Sequence, residues 1–152
     1  LGAAIFQIAQ KQLTLSSIGR DSQFAFYAAD TAAECALYWD FRFAYYATST
    51  PSLSDPNDPR CDGQSMFPFT IVGNRANFPD PDSSYVITSA RMNFFQDAAP
   101  ADGYCAEVSV TKVFDPDTKA TRTFVHADGY NVNCDAILTS PRALQRSVEL
   151  KY

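Results

Sequence analysis

The chain has 152 residues, of which 46% are hydrophobic and 19% charged, a composition that fits one globular domain with a sizeable core. A net charge of −5 and the absence of any basic run argue against nucleic acid as a main ligand, because phosphate binding draws on clustered Lys and Arg. Cys35, Cys61, Cys105 and Cys134 are widely spaced, without a C-x-x-C pair and with one histidine in the chain, which argues against zinc.

Residues 1–41 read as one long helix. No proline precedes Pro51, and Ala25, Ala28, Ala29, Ala32, Ala33 and Ala36 are the strongest helix formers. At about 1.5 Å per residue such a helix spans about 60 Å, more than a domain of this size can cover. Residues 1–18 are therefore expected to protrude and to need a partner, either copies of the chain or a bilayer. Residues 19–41 are expected to pack on the head. Leu1, Ala4, Ile5, Ile8, Leu15 and Ile18 recur near helical spacing and form the candidate interface stripe. Further on, Ile18, Ser22, Ala25, Ala29, Ala32, Ala36 and Trp39 make a stripe of mostly small side chains that permits close approach. Phe24, Tyr27 and Tyr38 flank it and are expected to lie over a sheet. Gly19 sits at the junction, costs about 1 kcal/mol relative to alanine, and is expected to mark a bend. Leu1–Ala9 is apolar but far shorter than the roughly 20 residues a bilayer requires. With no complete signal peptide or span in the chain, the N-terminus is expected to be processed, truncated or left out of this sequence.

Residues 42–152 read as a β head. The stretch 45–62 holds three prolines and three aspartates and is a loop. Met66–Val72 contains Pro68 and is expected to be an edge or bulged strand. Tyr85–Phe95 alternates with Val86, Thr88, Ala90, Met92 and Phe94 on one face. Residues 98–103 turn the chain. Tyr104–Phe114 points Ala106, Val108 and Val110 inward. Asp115–Lys119 is a hairpin turn into Thr121–His126, Asp128–Asn131 breaks the strand again, and Ala143–Tyr152 closes with Val148, Leu150 and Tyr152 on one side. One helix followed only by strands is an α+β layout, with an antiparallel sheet folded on the second half of the helix.

The even cysteine count fits two disulfides in an oxidising compartment, with free buried thiols as the alternative. Sequence does not determine the pairing; Cys35–Cys61 and Cys105–Cys134 are favoured because each joins neighbours in chain order. Aspartates cluster at Asp55, Asp58 and Asp62, at Asp80 and Asp82, and at Asp115 and Asp117. Calcium takes six to eight oxygens, but none of these clusters matches the twelve-residue calcium loop, and Asp-Pro and Asp-Gly are ordinary turn formers. No metal or cofactor is expected, and Asp55, Asp58 and Asp62 are the residual calcium candidate. His126 has no motif beside it, no carboxylate pair is singled out by spacing, and no glycine array is present, so no catalytic residue is assigned and no enzyme is inferred. Phe41, Phe43, Tyr45 and Tyr46 suit either stacking on a sugar or neighbour, or covering the end of the core; the second is expected for most of them.

Phe26–Asp40, FYAADTAAECALYWD, resembles the membrane-distal helix segment of bacterial type IV pilin-like proteins, in particular minor pilins and pseudopilins. Tyr104–Lys112, Ala127–Cys134 and Arg142–Tyr152 resemble later segments of the same proteins in the same order. The resemblance implies a ladle-shaped subunit whose N-terminal helix sits in the inner membrane before assembly and then packs with its copies, or with related pilins, as the core of an extracellular filament. The head would face outward for adhesion, motility or uptake. It also makes calcium in a head loop conceivable, since some pseudopilins hold it there. The leader-peptidase site and the fifth-position glutamate of many mature pilins do not occur in this chain. The rival expectation is a secreted or membrane-anchored binding module for carbohydrate or protein that does not polymerise; an extracellular hydrolase is the weakest.

Overall fold

Helix α1 runs from Gly2–Phe43 without interruption. The computed structural model to which it belongs describes residues 2–47, 59–73, 78–80, 83–94 and 103–152. Leu1, the side chain of Ala4, Asp55 and Asp58 lie outside the described residues. The helix continues through Gly19, where a bend was expected, and a Cβ at that position would meet nothing within 4 Å. It ends at Ala44, whose φ of 48° is left-handed and whose N–H bonds the carbonyl of Asp40 at 2.9 Å, closing the last turn as an αL cap.

Two small strands follow, β1 Arg60–Cys61 and β2 Gln64–Ser65, joined by Asp62 and Gly63 with φ of 47° and 74°. Positive φ at both central residues is the two-residue turn that Asp-Gly favours between antiparallel strands. This hairpin begins inside the stretch 45–62, expected to be loop to its end. The main sheet comprises β3 Thr70–Gly73, β4 Ser84–Thr88, β5 Met92–Phe94, β6 Tyr104–Asp115, β7 Ala120–Tyr130 and β8 Gln145–Lys151. Among the described residues it is six-stranded and antiparallel, in the order β3-β4-β6-β7-β8, with β5 also paired to β6. The fold is thus α+β, one N-terminal helix against an antiparallel sheet.

The expected single run Tyr85–Phe95 is two strands with a bulge between them. Thr88 pairs with Ser109, but Met92 pairs with Ala106, so four steps on one strand meet three on its partner. The extra residue reverses the alternation. Tyr85 and Ile87 are buried before it and Met92 and Phe94 after it, whereas Val86 and Thr88, placed with Met92 on one face, are not.

The helix crosses the sheet on its alanines. Ala25, Ala28, Ala29, Ala32, Ala33 and Ala36 are buried against a core that includes Val108, Val110, Val125 and Ala127. Asp128–Asn131, expected to break the strand, does so only at its end: β7 runs on through Gly129, which pairs with Ala106 on one side and Arg146 on the other, and stops at Tyr130. A Cβ on Gly129 would lie 2.1 Å from the carbonyl oxygen of Ala25 and 2.4 Å from the nitrogen of Ala29. The glycine serves backbone-to-backbone approach, not a turn. Phe24 stacks on Tyr104 with ring centroids 4.8 Å apart, but Tyr27 and Tyr38 stay mostly exposed instead of covering the sheet. They lie on the outer side of a helix whose inner side is alanine.

Cys35 is bonded to Cys61, tying α1 to β1, and Cys105 to Cys134, tying β6 to a short 3-10 turn at Cys134–Ala136. They close chain separations of 26 and 29 residues, for which the chain-entropy picture gives roughly 3.5 kcal/mol of stabilisation each.

Candidate assembly surface

Between Gly2 and Ile18 the sequence has one charged residue, Lys11, and is otherwise Gly2, Phe6, Ala, Gln, Ile, Leu and small polar residues, a stretch without proline that is compatible with helix. An isolated helix of this length is marginal in water, so these turns are propagated from the docked half beyond. Every described side chain from Ile5 to Ser16 is exposed. Of the residues assigned to the stripe, Ile5, Ile8, Leu15 and Ile18 are 66%, 57%, 68% and 46% exposed. Phe6 and Leu13, which the stripe omitted because they fall on another side of the helix, are equally open at 64% and 73%. The apolar surface therefore wraps around the rod and is not confined to one seam. Gln7, Gln10, Lys11, Gln12, Thr14 and Ser16 are exposed between them. Among the described residues no helix is long and apolar enough to cross a membrane.

Where the rod meets the head, Leu13, Ser17 and Ile18 face Pro141, Ala143 and Leu144 across a crevice of about 450 Å³. Above it, Arg146 Nε donates to Ser22 Oγ at 2.7 Å, seating β8 on the helix.

At the far end of the helix a charged cluster is enclosed. The ammonium of Lys112, on β6, contacts Asp40 Oδ2 and donates to Thr123 Oγ1 at 2.9 Å. Tyr152 donates its hydroxyl to the same Asp40 oxygen at 2.6 Å. The side chains of Lys112 and Asp40 are only 10% and 7% exposed. Sequence reasoning missed this group: Lys112 occupies an inward position of β6, after Ala106, Val108 and Val110, and nothing in the chain signals that its partner lies on the helix. Burial first, then the hydrogen bond to Asp40 and its charge, hold the Tyr152 hydroxyl well above the ordinary phenol range. Burial does the same for Tyr46. A phenol whose pKa is raised by folding lends stability that is present below its unfolded pKa and is lost as pH climbs past it. Urea unfolding is expected to shift to lower midpoints between about pH 8 and about pH 11, and Tyr152→Phe should reduce that shift.

The aromatic residues after the helix divide. Tyr46 is buried and Tyr45 packs against the core, with Tyr85 Oη donating to the Tyr46 carbonyl at 2.5 Å. Phe41 and Phe43, expected for the most part to cover the core, remain 71% and 44% exposed on the last helical turn; Phe41 stacks on Tyr152. His126 Nε2 is 3.2 Å from Asp128 Oδ1, but Ser147 donates its hydroxyl to that same carboxylate and not to the imidazole, so no nucleophile–base pair is formed there. Asp62 is spent on its tight turn. Asp115 Oδ1 accepts from the N–H groups of Asp117 and Thr118, and these bonds hold its carboxyl below the usual range. Among the described residues no three His, Cys, Asp or Glu side chains gather as metal ligands. Comparison with models of protein families, with curated proteins and with solved structures returns no match.

Proposed function

We propose that this chain is a structural subunit of a type IV pilus or a related extracellular filament, assembling through the apolar N-terminal half of α1 while the head faces outward for adhesion, motility or uptake. The observation that carries the reading is the exposure of Ile5, Phe6, Ile8, Leu13, Leu15 and Ile18 along the N-terminal half of α1, where the head reaches only the last turns, at Leu13 to Ile18. The resemblance of Phe26–Asp40 to pilin-like helices and the two disulfides, which suit an exported protein, support it as well. Each large apolar side chain buried between copies contributes roughly 1.5–3 kcal/mol, so six on one rod supply ample association energy.

Ile8→Asp places a charge in that contact without touching the head. Cells producing the variant are expected to lose filaments by electron microscopy, while the protein keeps the near-ultraviolet dichroism of the unmodified head. Filaments of normal length from Ile8→Asp would defeat the role given to this surface. A chain that stays monomeric at all concentrations and binds a glycan or protein would favour the rival reading, a binding module that does not polymerise.

A further inference from the structure

Neither disulfide joins α1 to the main sheet. Cys35–Cys61 ends on β1, in the separate two-stranded pair, and Cys105–Cys134 lies within the head. The last turn of α1 instead meets β6 through the enclosed contact of Asp40 with Lys112, residues 72 positions apart in the chain. Thr123 Oγ1 accepts a hydrogen bond from Nζ at 2.9 Å, and Tyr152 donates its hydroxyl at 2.6 Å to the same Asp40 oxygen that the ammonium touches. The carboxyl carbon is one bond beyond that oxygen, so Nζ and Cγ lie close to the roughly 3–3.5 Å of a near-attack arrangement. Among the described residues the other lysine–carboxylate contact, Lys151 with Glu149, lies in the open.

We propose that Lys112 and Asp40 condense into an amide, an intramolecular cross-link between Nζ and Cγ formed with loss of one water. The ammonium first passes a proton to Asp40 Oδ2, which replaces two buried charges by a neutral amine and a neutral acid. The amine, held by its hydrogen bond to Thr123, attacks Cγ and forms the new C–N bond. Tyr152 then gives its hydroxyl proton to Oδ2, the Cγ–Oδ2 bond breaks, and water leaves. The phenolate takes the second proton from nitrogen and is a phenol again. An ammonium and a carboxylate have become an amide and one water, with no electron gained or lost. Burial and the Asp40 charge keep Tyr152 protonated at neutral pH, so its proton is in place at the start.

Well-oriented partners within one molecule reach effective concentrations of roughly 10⁵–10⁸ M, which offsets the preference for free acid and amine in bulk water. At Lys151 and Glu149 solvent surrounds both groups and no such enclosure exists. A phenol is a weak acid for this proton relay, so the bond accrues over days: freshly made protein holds the ion pair and aged protein the amide. The amide clamps the last helical turn to β6, a covalent tie between α1 and the main sheet that the disulfides do not provide. The proposal stands whether or not the chain forms filaments.

Mass spectrometry of the full chain tests it. The purified protein is kept folded at neutral pH and body temperature, sampled over several days, then reduced and weighed. The unmodified chain is expected to become one water lighter, and trypsin to release a branched peptide joining Asp21–Arg42 to Met92–Lys119, uncut at Lys112. Lys112→Arg keeps the positive charge but offers no amine nucleophile, and Asp40→Ala removes the carbon under attack; both should hold their full mass. Tyr152→Phe should slow the loss of water at least tenfold, since it removes the acid that serves the leaving oxygen. An unmodified chain that keeps its full mass and yields no branched peptide overturns the proposal. So does an equal loss of water from Lys112→Arg, which would place the dehydration elsewhere, as in a cyclised Asp-Gly. A Tyr152→Phe chain that reacts as fast as the unmodified one overturns the proton relay.

Discussion

Lys112→Met is expected to lower the unfolding free energy by about 3–5 kcal/mol, because removing one partner of a buried ion pair strands the other charge. Here the stranded group is Asp40, 7% exposed, with the Tyr152 hydroxyl as its remaining described partner. Asp40→Leu should cost a similar amount for the mirror reason, leaving the ammonium with Thr123 and the face of the Tyr152 ring, whose centroid is 5.8 Å from Nζ. The double variant Asp40→Leu/Lys112→Met is the discriminating one. Two apolar side chains of similar volume carry no desolvation cost, so it should recover most of the loss and is expected to fall within about 1.5 kcal/mol of the unmodified chain. Urea unfolding under non-reducing conditions, followed by tyrosine and tryptophan fluorescence, reads all three. Single variants costing less than about 1 kcal/mol would mean that the pair behaves like an exposed one.

Gly129→Ala should be nearly as costly, at about 3 kcal/mol, though the change adds one methyl group. Ordinary overpacking costs about 1–3 kcal/mol because flexible side chains move aside. Here the obstacles are the backbone oxygen of Ala25 and the backbone nitrogen of Ala29, which move only if helix and sheet separate. Separation would open the contact made by the whole alanine row. At about 2–4 °C per kcal/mol for a chain of this size, the melting temperature should drop by roughly 6–12 °C. Gly19→Ala is the internal control: nothing lies within 4 Å of its added methyl, so a helix interior gains up to about 1 kcal/mol. A Gly129→Ala variant as stable as the unmodified chain would show that the helix does not approach the sheet this closely.

Features governed by local chemistry were legible in the sequence. A proline-free, alanine-rich run makes a helix wherever it is placed, and Asp115–Lys119 turns a hairpin through its own side-chain hydrogen bonds. The inward set Ala106, Val108 and Val110 followed from period-two alternation. So did the layout of one helix then strands, and the apolar character of the rod, since an apolar stretch too long for its head to cover is a property of spacing and length.

Features governed by what lies across a gap were not legible. Asp-Gly at 62–63 and at 128–129 is the same dipeptide; one is a turn and the other lies flat in a strand, because only at Gly129 does a helix backbone press on the sheet. The bulge between β4 and β5 changes which side chains are buried, yet it is a register mismatch with β6 and leaves no local mark. Lys112 takes an inward position on β6 because Asp40 on the helix and Tyr152 at the last position meet it there, which the strand's own alternation does not reveal. The helix, the long strand β6, the hairpin turn at 115–119 and the apolar N-terminal half of α1 depend on residues a few positions apart, and these could be read from the chain. The enclosed charge pair and the glycine crossing came from the fold alone, because each is a meeting of residues that the chain holds far apart.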